Sequence, residues 1–90
     1  PGTMICHEGL LELKKHDEEN QTQYMETLRV YLEQHLSATQ AARELFIHRS
    51  TFLYRLDRIK EILQSELDDP EEIFYLELSF RLLEQEQEKE

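Results

Sequence analysis

Apolar side chains in this 90-residue chain recur at every third or fourth position, not at every second. That period predicts helices and no strands. Leu10, Leu11 and Leu13 mark a first helix over residues 8–18. The polar run Asp17-Glu18-Glu19-Asn20 is expected to end it, because acids oppose the negative end of a helix dipole. Met25, Leu28, Leu32 and Leu36, with Tyr24 and Tyr31 beside them, predict an amphipathic helix over 22–35. Ala38, Ala41, Ala42 and Leu45 predict a short third helix of about two turns. Phe52, Leu56, Ile59 and Leu63 recur four, three and four residues apart, within about 60° of arc on a fourth helix over 48–64. Ile73, Leu76, Phe80 and Leu83 define a fifth over 70–86. The expected fold class is all-α, with about five helices.

Boundary signals agree with this division. Ser37-Ala38-Thr39-Gln40 fits a capping box, in which the serine oxygen accepts from the third amide and the glutamine reaches back. Asp69 can cap the last helix, Pro70 suits its first position, and Glu71 and Glu72 complement its positive end. With two glycines and two prolines, the chain lacks the turn signals of an all-β architecture. Pro1-Gly2-Thr3 ahead of Met4 reads as an expression remnant. Residues 4–21 then form an N-terminal helix and linker, 22–84 the main domain, and 85–90 an acidic tail.

The net charge is −10, which taken alone argues against a polyanionic partner. The charge is unevenly spread, however. Residues 1–36 carry −4 and residues 65–90 carry −8, whereas residues 37–64 carry +2 through Arg43, Arg49, Arg55, Arg58 and Lys60. The one basic stretch coincides with the third and fourth helices.

Those two helices, joined by the apolar link Phe46-Ile47, carry the main functional signal. Ala42, Leu45, Ile47, Phe52 and Leu56 have the core spacing of a helix-turn-helix, in which the leading end of the second helix enters the DNA major groove. Thr51, Tyr54, Arg55 and Arg58 fall off the core stripe, and His48 and Arg49 sit at the tip. Thr39 and Gln40 start the preceding helix, where they can touch backbone phosphate; Gln40 can instead be used in the cap. Spacing alone fits an ordinary helical hairpin equally well. Arg55 can also brace the helices through Glu44, and Tyr54 can pack its ring and expose only its hydroxyl.

The run Leu45-Phe46-Ile47-His48-Arg49-Ser50-Thr51-Phe52-Leu53-Tyr54-Arg55-Leu56-Asp57-Arg58-Ile59 resembles the C-terminal domain of PucR/CdaR-type bacterial transcriptional regulators. Thr27-Leu28-x-x-Tyr31-Leu32 before it and Leu67-Asp68-Asp69-Pro70 after it match the same family. The resemblance covers residues 8 to 83 in order. Its helix-turn-helix is also similar to that of the nucleoid protein Fis. Phe52 departs from the family, which more often has Leu there; this affects packing, not chemistry. The resemblance implies contact with double-stranded DNA by His48, Arg49, Ser50, Thr51, Tyr54, Arg55 and Arg58. It also implies an effector-sensing region N-terminal to this segment, for a small molecule the sequence does not identify.

A second apolar stripe, Phe74, Leu78 and Leu82, lies on the fifth helix. It either packs on the first helix or forms a homodimer surface. A helical protein–protein module without direct DNA contact is therefore the alternative reading. No catalytic or metal site is expected. His7, His16, His35 and His48 are too far apart for an i, i+4 ligand pair, and Cys6 has no organised base beside it. No cofactor motif occurs, and no apolar run approaches the ~20 residues that span a bilayer. A single cysteine fits a cytoplasmic location.

Overall fold

The computed structural model describes residues 6–88. The suspected remnant, residues 1–3, lies outside that range. The described residues contain five helices and no strand: α1 (Glu8–Asn20), α2 (Tyr24–Glu33), α3 (Ala38–Leu45), α4 (Arg49–Leu63) and α5 (Pro70–Glu88). The all-α expectation holds.

One predicted boundary is wrong. The acidic run at 17–20 does not break α1, which continues to Asn20 and ends on a left-handed Gln21. Two kinds of local contact offset the unfavourable acids. Lys14 pairs with Glu18 at 2.8 Å, and the side-chain amides of Asn20 and Gln21 donate to the carbonyls of His16 and Glu18. Asp17 has a separate task. Its carboxylate accepts from the Tyr24 amide at 2.9 Å, the Met25 amide at 2.8 Å and the Thr22 hydroxyl. A residue near the end of α1 therefore caps the start of α2, whose own N-cap, Gln23, makes no such bond.

The other caps are mostly local. Ser37 Oγ accepts from the Gln40 amide as expected, but the Ser37 amide donates to the Gln34 carbonyl, so the reciprocal half of the box is not used. Asp69 Oδ1 accepts from the Glu71 amide at 3.0 Å, and Pro70 opens α5. His7 caps α1 by accepting from the Gly9 amide through Nδ1. Gly9 is required by close approach: a Cβ there would lie 3.0 Å from the Leu63 carbonyl oxygen.

One hydrophobic core joins all the helices. Leu10 and Leu13 of α1, Leu28 of α2, Phe52 and Ile59 of α4 and Leu76 of α5 are wholly buried. Leu10 and Leu13 thus make α1 part of that core. The α4 stripe predicted from spacing is buried throughout. Phe52 lies against Tyr31, with ring centroids 5.5 Å apart at 48°.

Residues before α1 are tied to α5. The His7 amide donates to Ser79 Oγ at 2.9 Å, and His7 Nε2 lies 3.0 Å from Glu72 Oε2. Burial alone would raise the Glu72 carboxyl, but the bonds from Ser65 and His7 outweigh it. They hold Glu72 below the usual carboxylate value.

Candidate nucleic-acid interface

The chemistry of the site follows from how α3 and α4 are joined. Ala41 and Ala42 are buried, and their small side chains let α3 approach the helices beside it closely. The chain then turns at Phe46, which adopts a left-handed conformation (φ 57°, ψ 42°) and sends its amide back to the carbonyls of Ala42 and Arg43. Ile47 packs partly against the core, and its amide bonds the Ala42 carbonyl at 3.1 Å. His48 is extended, and its carbonyl accepts from the Phe52 amide, starting α4. Phe52 and Leu56 anchor one side of α4 in the core and so leave its leading end facing outward.

That leading end is polar and open. His48, Arg49, Ser50, Thr51 and Tyr54 are exposed, Tyr54 to 62%. Tyr54 therefore presents much of its ring as well as its hydroxyl. Thr39 and Gln40, at the start of α3, are exposed too. The structure links these two groups directly: Arg49 Nε donates to Thr39 Oγ1 at 3.2 Å. The guanidinium thus lies back along α3, with its other N–H groups open to an acceptor.

Two arginines from the sequence reading are placed differently. Arg58 pairs with Glu61 at 2.9 Å on the exposed side of α4, so its charge is already shared. Arg55 is half-buried and donates through Nη1 to Thr27 Oγ1 on α2 at 3.2 Å. It braces the helices, but through Thr27 and not through Glu44. Thr27 is wholly buried, and its hydroxyl also donates to the Gln23 carbonyl at 2.7 Å. Sequence reasoning missed this brace. The signal was a threonine on the buried stripe of α2, a position that calls for a polar partner.

The dimer candidates divide. Phe74 and Leu78 are 67% and 42% exposed, whereas Leu82 is half-buried against the core. A surface cleft of about 270 Å³ between α2 and α5, lined by Arg29, Leu32, Glu33 and Phe80 among others, takes no residue from α3 or α4. Among the described residues no group of three or more His, Cys, Asp or Glu could hold a metal ion. No helix there is long and apolar enough to cross a membrane.

A short α3, a tight apolar turn and an anchored α4 with a polar tip define a helix-turn-helix domain. The chain belongs to the PucR C-terminal helix-turn-helix domain family, whose model matches residues 24–82. It is similar to the purine catabolism regulatory protein of Bacillus subtilis, 38% identical over 73 residues, covering 81% of this chain and 14% of the relative. It is likewise similar to the proline-responsive transcriptional activator PutR of that organism, 38% identical over 63 residues, covering 70% of this chain and 15% of the relative. The DNA-binding transcriptional activator AdeR, also from B. subtilis, is 32% identical over 74 residues, covering 82% and 18%. The chain thus spans less than a fifth of the length of these regulators. No solved structure matches it significantly.

Proposed function

We propose that this domain reads duplex DNA for a bacterial transcriptional regulator, with the leading end of α4 in the major groove. The observation that carries this is the exposed cluster at the mouth of the helix-turn-helix, where Arg49 is held beside Thr39. Arg49, His48, Ser50, Thr51 and Tyr54 are assigned to base edges and nearby backbone, and Thr39 and Gln40 to phosphate. Arg55 acts first as a brace whose spare donors reach a phosphate, and Arg58 adds charge at the rim. The domain contributes no catalysis and works in the cytoplasm as one half of a homodimer. A small-molecule effector is bound elsewhere in the longer protein.

Overall acidity sets a limit on affinity. One copy offers few phosphate contacts, so the dependence of log affinity on log salt is shallow, each contact adding about 0.9 to the slope. Two copies double the contacts and favour half-sites about 34 Å apart. The test is a binding-site selection from random duplexes with the longer protein, followed by salt titration of this chain on the selected half-site. Enrichment of one paired sequence, bound with a measurable salt slope, is expected. No enriched sequence, or binding indifferent to salt, overturns the proposal.

A further inference from the structure

We propose that the outer face of α5 pairs with α5 of a second copy of this chain, antiparallel and centred on Leu78. This deepens the homodimer proposed above by naming its surface and register. Phe74, Leu78 and Leu82 span about 80° of arc at 100° per residue. They lie opposite Leu76, Phe80 and Leu83, which face the chain's own core. Phe74 and Leu78 are the exposed members, at 67% and 42%. Four residues apart on one helix, they make a contiguous apolar strip, whereas scattered exposed hydrophobics need no explanation.

Charge selects the occupant and its direction. Glu71 lies at one end of the strip and Gln85 at the other, with Glu77 and Arg81 along one flank. A parallel two-fold pair would set Glu71 against Glu71 and, because opposite flanks then meet, would keep each Arg81 away from the partner's Glu77. The antiparallel pair about Leu78 sets Phe74 against the partner's Leu82 and Glu71 against the partner's Gln85. In a two-fold antiparallel pair like flanks meet, so each Arg81 falls beside the partner's Glu77. Arg81 forms no ion pair among the described residues and is available for that contact. α5 is acidic overall, yet its outer strip is complementary to itself in this one direction.

The strip is small. Two exposed apolar side chains and their flanks fall well short of the roughly 800 Å² per partner of a standard interface. Pairing is therefore weak and concentration-dependent in the isolated chain, and strengthened when a longer protein or adjacent DNA half-sites hold two copies together.

Sedimentation of the 90-residue chain without DNA tests this directly. The expected mass rises from one chain towards two as concentration climbs from about 10 µM to about 1 mM, a range in which weak interfaces titrate. Leu78→Glu places two acids face to face and should weaken pairing at least tenfold, with the melting temperature unchanged. A single-chain mass throughout overturns the proposal; so does a Leu78→Glu variant that melts early, since the strip would then belong to the core. Mixing Phe74→Cys chains with Leu82→Cys chains under mild oxidation tests the register, because Cys6 is only 4% exposed and stays out of the exchange. The mixed disulfide should exceed both symmetric ones severalfold; a dominant Phe74→Cys symmetric product overturns the antiparallel register. Half-site binding by Leu78→Glu should match the parent within twofold. If neither protein binds DNA, the functional proposal fails while the sedimentation result stands.

Discussion

Arg49→Ala separates recognition from stability. In the folded chain the Arg49 side chain is exposed and donates to Thr39 through a 3.2 Å hydrogen bond. Exposed side chains away from caps and core change stability by about 0.5 kcal/mol or less. Truncation should therefore leave the melting temperature almost unmoved. The same guanidinium is the best-placed donor fork at the tip of α4. A good bidentate contact to a guanine edge is worth about 1–3 kcal/mol. At 1.4 kcal/mol per decade, that is about 5- to 150-fold in affinity. Fluorescence anisotropy on the selected half-site at fixed salt reads the loss, with a melt run in parallel. The salt slope tells which group Arg49 touches. A base contact leaves the slope intact and relaxes preference at one position, while a phosphate contact lowers it by about one for all sequences. Thr39→Val keeps the charge and removes the tether, so it should cost less than Arg49→Ala and add little to it in the double variant. An affinity within twofold of the parent for Arg49→Ala, with an unchanged melt, refutes the assignment.

Three further outcomes follow from the packing. Thr27→Val keeps the shape but deprives Arg55 of its acceptor and the Gln23 carbonyl of one of its two donors, the Thr27 amide remaining; urea unfolding should lose about 1–3 kcal/mol, while half-site affinity well below the melt stays within twofold. Unchanged unfolding would show that the brace carries no energy. Phe46→Gly relieves a left-handed, 94% exposed phenylalanine and should raise stability by up to about 1 kcal/mol in thermal melts; a fall would mean that the ring packs on something. Phe52→Ala empties the centre of the core and should cost about 3–5 kcal/mol, a large share of what a domain of this size has; a parent-like melt would require α4 to be rotated and its outward face reassigned.

Much of this fold is legible in the sequence because its signals are local. Helix period, the Ser37 and Asp69 caps and the α4 stripe depend on neighbours within a turn or two, and each appears where the residues placed it. The spacing around Phe46-Ile47 announces the turn, and the basic stretch coincides with α3 and α4. What the sequence could not supply are contacts between groups far apart in the chain. Asp17 looks like a helix breaker until the Tyr24 and Met25 amides arrive beside it. Arg55 looks free, or paired with Glu44, until α2 brings Thr27 within 3.2 Å across 28 residues. Arg49 meets Thr39 only because the turn folds α4 back against α3. Whether Phe74, Leu78 and Leu82 are core or surface is likewise a tertiary decision. Periodicity fixes that they share a face, but only the placement of α5 on α2 decides which side is covered, and it leaves Phe74 and Leu78 in water. Hydrophobic period is a property of one helix, whereas charge partners and buried faces belong to pairs of helices, whose meeting only the closed core defines.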